Sequence, residues 1–109
     1  MKQFDRLIWQ EQLLLVEFYA TWCGPCKAME PVIARFAERM GDRTDLLRID
    51  IEDPNYTDIV RRYNIISVPT LMFFRRGEVL WRESGAVGYN HLVTILEELE
   101  QYELAGERY

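Results

Sequence analysis

The 109-residue sequence has only two cysteines, one histidine and four prolines, and no basic cluster beyond the pairs Arg61-Arg62 and Arg75-Arg76. Each shortage removes a class of protein. Two cysteines are too few for a secreted fold stapled by several disulfides. A structural zinc site needs four ligands, and Cys23, Cys26 and the lone His91 fall short, so no metal site is expected. No apolar stretch approaches the ~20 residues of a membrane span, and no basic amphipathic helix suggests binding to a membrane surface. Acidic residues outnumber basic ones, 18 to 13, for a net charge of −5. That balance argues against a phosphate-binding surface and hence against nucleic acid. The N-terminal stretch Met1–Arg6 lacks the long apolar segment of a signal peptide, so a cytoplasmic location is expected. A chain with its leader already removed would read the same.

What is present is an ordinary globular composition, 49% hydrophobic and 28% charged, with enough length for one domain over residues 1–109. The two cysteines stand two residues apart in Trp22-Cys23-Gly24-Pro25-Cys26-Lys27. The apolar run Leu13–Ala20 before them, broken only by Glu17, reads as a buried strand. After them Ala28, Met29, Val32, Ile33, Phe36, Ala37 and Met40 recur at helical spacing. The pair therefore falls on a strand-to-helix junction. There the unpaired N–H groups and positive partial charge of a helix start favour a thiolate on the first sulfur. A bridge across two residues closes too small a loop to restrain the unfolded chain much, which argues for redox chemistry over a structural disulfide.

Along the chain the pattern predicts a short helix from Phe4 to about Gln12, a strand over Leu13–Tyr19, and a long helix over Pro25–Met40 kinked at Pro31. A second strand over Leu46–Ile51 follows. Asp53 then looks like an N-cap before Pro54, opening a short helix to about Tyr63. Thr70–Arg75 and Glu78–Arg82 read as a hairpin turning at Arg76-Gly77. A last helix buries Leu92, Ile95, Leu96 and Leu99, and the polar tail after Tyr102 is expected to fray. Strands alternating with helices imply parallel pairing, and the hairpin adds antiparallel strands. The fold class is α/β, a mixed sheet flanked by helices. Trp9 and Trp81 are assigned to core or cross-strand packing.

Val16-Glu17-Phe18-Tyr19-Ala20, the hexapeptide Trp22–Lys27, Val68-Pro69-Thr70, Gly77 and Gly85-Ala86 together resemble the thioredoxin family over about Phe4–Leu99. The resemblance implies a thioredoxin-like three-layer fold acting as a protein-disulfide reductase in cell redox homeostasis. Cys23 would be the attacking nucleophile and Cys26 the buried resolving thiol. No cofactor would be bound; electrons would come from NADPH through a partner, thioredoxin reductase, and go to proteins carrying disulfides. Val68-Pro69 would be a cis bond beside the site. Trp22, Gly24, Pro25, Val68, Pro69, Thr70 and Gly85 would form the client groove. The Gly24-Pro25 pair goes with reducing members of the family.

Two departures from the family pattern stand out. Thioredoxins usually carry aspartate at the position of Glu17, where the acid assists proton transfer at the buried thiol, and a lysine partner at the position of Arg48. Here both are longer side chains, and an arginine can bind a carboxylate bidentately and hold it ionised. The alternative is a solvated Glu17 at a strand edge. Second, little sequence precedes Phe4, so the first family strand is expected to be missing, leaving four strands. Leu46–Ile51 would then be a sheet edge. A monomer is expected, with a dimer through that edge as the alternative unless Asp45, Arg48, Asp50 and Glu52 blunt it.

Overall fold

A computed structural model of the chain describes residues 3–106. The elements run α1 (Gln3–Ile8), β1 (Leu13–Tyr19), α2 (Gly24–Met40), β2 (Thr44–Asp50), a 3-10 turn (Pro54–Tyr56), α3 (Thr57–Arg62), β3 (Thr70–Arg75), β4 (Glu78–Ser84) and α4 (Tyr89–Gly106). The strands form one sheet in the order β2-β1-β3-β4. β1 pairs parallel with β2 and antiparallel with β3, and β3 pairs antiparallel with β4.

The unbroken apolar run of β1 follows from its central place, since both of its faces are covered. Leu14, Val16 and Phe18 pack with Phe4, Ile8, Ile49, Ile59, Met72 and Phe74 on the side of α1 and α3. Leu13 and Leu15 pack with Met29, Ile33, Phe36, Leu71, Phe73, Leu92 and Leu96 on the side of α2 and α4. Glu17 has the parity of Leu13 and Leu15, so its carboxylate enters the layer beneath α2. A bulge between Phe73 and Phe74 shifts the hairpin register, and Trp81 stands opposite Phe73 with ring centroids 5.7 Å apart.

Several boundaries differ from the sequence expectation. α1 ends at Ile8 rather than Gln12, because the next residues are taken by the hairpin: Gly77 N–H donates to the Ile8 carbonyl at 2.7 Å and Arg76 N–H to that of Gln10 at 3.1 Å. Trp9 is no core residue; it is 64% exposed and its ring lies across Gly77. The segment after Asp53 divides into the 3-10 turn and α3, with the Asp53 carboxylate accepting the Asn55 N–H as a cap. α2 spans Gly24–Met40 with Pro31 inside it. α4 continues past Tyr102 to Gly106, where the composition suggested fraying. Arg43, in the turn after α2, helps hold this helix with a two-pronged contact to Glu100 at 2.5 and 3.1 Å.

Candidate redox site

β1 ends at Tyr19 and the chain turns directly into α2, with Cys23 as its N-cap. The Cys23 sulfur accepts the N–H of Cys26 at 3.2 Å, and Lys27 N–H donates to the Cys23 carbonyl. A sulfur is thus seated where other helices place a capping oxygen, in the field of the helix start. Cys23 and Cys26 are joined by a disulfide, with Cα atoms 5.2 Å apart. Both residues are almost wholly covered, Cys23 at 5% and Cys26 at 2% exposure. What separates them is orientation. Cys23 lines an open groove of about 370 Å³, whereas Cys26 stands on the same helix face as Met29, Ile33 and Phe36.

The groove is walled by Trp22, Gly24, Pro25, Ile51, Ile65, Ile66, Ser67 and Val68. Trp22 is 66% exposed, and its indole N–H donates to Glu52 at 2.8 Å, which fixes the ring against the rim. The Val68–Pro69 bond is cis, and the Val68 carbonyl oxygen lies 3.6 Å from Cys23 Sγ. Gly85, at φ +98, donates its N–H to the Pro69 carbonyl at 2.8 Å. That backbone is one glycine adopts freely and other residues rarely do.

Pro69, itself buried, and Gly85 are not among the residues lining the groove, and Thr70 too needs correction as a groove residue. It is fully buried, and its hydroxyl is engaged by the Ser67 carbonyl at 2.7 Å and the Ser84 hydroxyl at 2.9 Å. It braces the groove from behind and offers no surface to a client. Sequence reasoning missed Glu52, Ile51, Ile65, Ile66 and Ser67. Ile66, at 84% exposure, is legible only in three dimensions, since nothing in Asn64-Ile65-Ile66-Ser67 says which isoleucine faces out.

Glu17 and Arg48 are brought together, as register partners on β1 and β2. Arg48 Nε donates to Glu17 Oε1 at 2.7 Å in a single contact rather than a bidentate one. Glu17 is fully buried, so the solvated alternative is excluded, whereas the Arg48 side chain is 36% exposed and its guanidinium lies 4.3 Å above the Tyr19 ring. The other carboxylate oxygen, Oε2, is buried without a hydrogen-bond partner among the described residues. Burial pushes the Glu17 pKa up, and Arg48 offsets this only in part, with Glu30 adding repulsion. Arginine therefore does not hold this carboxylate below its ordinary range. Among the described residues there is no group of three or more His, Cys, Asp or Glu able to hold a metal ion, and no helix is long and apolar enough to cross a membrane.

The family model described as thioredoxin matches residues 1–98. The chain is 41% identical over 95 residues to the chloroplastic thioredoxin Y of rice, covering 86% of this chain and 55% of that protein. It is 36% identical over 84 residues to thioredoxin-1 of Saccharomyces cerevisiae, covering 77% of this chain and 79% of the relative. It spans about half the length of the first chloroplastic relatives it matches. The crystal structure of Malassezia sympodialis thioredoxin superposes with a TM-score of 0.79 at 27% identity, covering 88% of this chain and 82% of that one. A sulfur-capped helix start, a cis Val68–Pro69 bond at the groove and this extent of similarity lead to one conclusion: the chain belongs to the thioredoxin family.

Proposed function

We propose that the chain is a thiol-disulfide oxidoreductase that reduces disulfides in other proteins. The observation that carries this reading is the seat of Cys23, at the N-cap of α2 and open to an apolar groove. In the dithiol state the Cys23 thiolate attacks one sulfur of a client disulfide, the client's other sulfur leaves as a thiolate, and a mixed disulfide forms. The Cys26 thiolate then attacks Cys23 Sγ and expels the second client thiolate. Two electrons have passed to the client, and the protein is left with the Cys23–Cys26 disulfide of this structure. A thioredoxin reductase drawing on NADPH restores the dithiol, and no bound cofactor is required.

Glu17 is the proton carrier for Cys26 in this scheme. It stands beneath α2, on the sheet face that receives Cys26 and Met29, its pKa is raised, and one of its oxygens is uncommitted. Arg48 is its positioning partner. Trp22, Gly24, Pro25 and Val68 shape the client groove, Pro69 fixes the cis bond after Val68, and an extended client strand pairs with the Val68 backbone. We place this activity in a single domain of residues 1–109, acting as a monomer in the cytoplasm. The edge strand β2 is the surface through which a dimer would form; sedimentation at rising concentration and the position of a fluorescent fusion test these two points.

The decisive experiment is insulin reduction with NADPH and a thioredoxin reductase. Wild type should turn over many equivalents of insulin, and Cys23→Ser should none. Cys26→Ser should accumulate a mixed disulfide that resists further turnover. If wild type reacts only stoichiometrically, or if Cys26→Ser cycles as wild type does, the two-thiol reductase reading fails.

A further inference from the structure

The wall of the groove opposite Trp22 is a loop, and its anchor comes from the far edge of the sheet. α3 has six residues and ends at Arg62, with Tyr63 as its C-cap. Asn64 N–H donates to the Arg61 carbonyl and Ile65 N–H to that of Val60, with Asn64 in the left-handed region at φ +51. This is the paired-bond helix stop usually built on glycine, here built on asparagine, a residue that tolerates the conformation better than most. Ile65 is then buried in the core, and Ile66, Ser67 and Val68 run on as groove wall to the cis bond.

That stop satisfies the carbonyls of Val60 and Arg61 but leaves those of Tyr63 and Asn64 facing outward. Arg82 of β4 reaches both: one terminal nitrogen donates to the Tyr63 carbonyl and the other to the Asn64 carbonyl, the latter at 3.0 Å. Arg82 pairs with Met72 in the β3–β4 ladder, so its side chain leaves the sheet on the face of Met72, the face that α3 covers. β4 is an edge strand, and an arginine there needs no partner, because solvent would serve it. Its planar fork matches two successive carbonyls, which a lysine's point charge cannot do.

We propose that Arg82 is a positioning residue for client recognition, holding the Ile65–Val68 wall in the form that receives a protein disulfide. The inference rests on the reductase reading. Arg82 touches neither sulfur, so its effect should fall on substrates that need the wall and spare those that do not. Where a binding-competent form is only partly populated, apparent affinity drops by that fraction.

The test compares wild type with Arg82→Met and Arg82→Lys, using insulin as the large substrate and dithiobis(nitrobenzoate) as the small one. Met keeps the apolar stem, and Lys keeps the charge with reach for one carbonyl. Arg82→Met should raise the insulin KM about five-fold with kcat within about two-fold, and Arg82→Lys should fall between, as expected if the competent wall is about one-fifth populated. Single-turnover reaction of the dithiol protein with the small disulfide should not change. Amide exchange at Ile66, Ser67 and Val68 should quicken in Arg82→Met, while that of β1 stays slow. An unchanged insulin KM in both variants overturns the proposal. So does an equal loss on both substrates, which would make Arg82 a general structural residue; if Arg82→Met does not fold, Arg82→Lys alone decides on the same criteria. A wild type that reduces no insulin removes the reductase reading and this proposal with it, whereas wild-type turnover with unaffected variants removes the proposal alone.

Discussion

Toward the redox end of the sheet, the buried Glu17 carboxylate takes a single hydrogen bond among the described residues, from Arg48, and the cysteine pair opens onto an apolar groove. The opposite end is closed. There the hairpin turn is bonded to Ile8 and Gln10, the Arg76 guanidinium grips the Glu11 carboxylate at 2.5 and 2.8 Å, and Trp9 covers Gly77. The same central strands, β1 and β3, serve both ends. The fastening contacts lie at the end away from the cysteine pair, and the buried acid and the groove lie at the other. Local stability within one fold is uneven in this way, and functional segments come from its weaker part.

The largest expected effect comes from upsetting the open end. Arg48→Met leaves a fully buried carboxylate with no cation. Breaking a buried pair costs ~3–5 kcal/mol; since Arg48 is partly exposed and Glu17 can protonate, about 2–3 kcal/mol is expected near neutral pH. Urea unfolding measures it. The double variant with Glu17→Gln should lose less than the sum of the single losses, and simple additivity would mean the contact carries no coupling.

The closed end should give a smaller and purely structural effect. In Gly77→Ala a Cβ would approach the Trp9 ring to 2.7 Å, at a φ of +80 that alanine resists. The left-handed backbone alone costs about 1–2 kcal/mol, so the melting point should drop by roughly 5–10 °C for a domain of this size. Insulin reduction at 25 °C should be untouched. A loss of turnover without a loss of melting point would break the division between the two ends.

The smallest effect is a slope. Because burial raises the Glu17 pKa, the folded state binds this proton more tightly than the unfolded chain does. Its contribution to stability is therefore full below the unfolded value and declines as pH rises through the folded one. Wild type should gain stability relative to Glu17→Gln as the pH is lowered from 7 toward 4.5. Parallel pH profiles would show that Glu17 does not titrate abnormally. The same variant should slow turnover while leaving Cys23 alkylation little changed.

The strand-junction chemistry was legible in the sequence because it is local: Cys23 and Cys26 carry their own strand before and helix after. A mixed sheet was legible from the alternation of elements and the hairpin turn; its strand order, with β1 antiparallel to β3, was not. Glu17 was recognisable as the charge in an apolar run, but the sign of its pKa shift was not, since desolvation and a neighbouring cation oppose each other and only their geometry decides. Trp9 was misplaced because its partner, Gly77, is far along the chain and reads as an ordinary turn glycine. Arg82 was unreadable for a related reason. An arginine on an edge strand looks like surface until the carbonyls it meets are located.

One contact in the α2–α4 layer bears on which substitutions are interchangeable. Met29 is fully covered, and its sulfur accepts the N–H of Val87 at 3.2 Å. By volume it could be exchanged for leucine at little expense. Leucine has no acceptor, however, and would leave a main-chain donor stranded in a dry layer. The position calls for an apolar side chain that also carries a lone pair, a demand that hydropathy does not register. A repacking of this core that treats its members as interchangeable apolar volumes would lose the Val87 N–H acceptor at the residue that looks easy to replace.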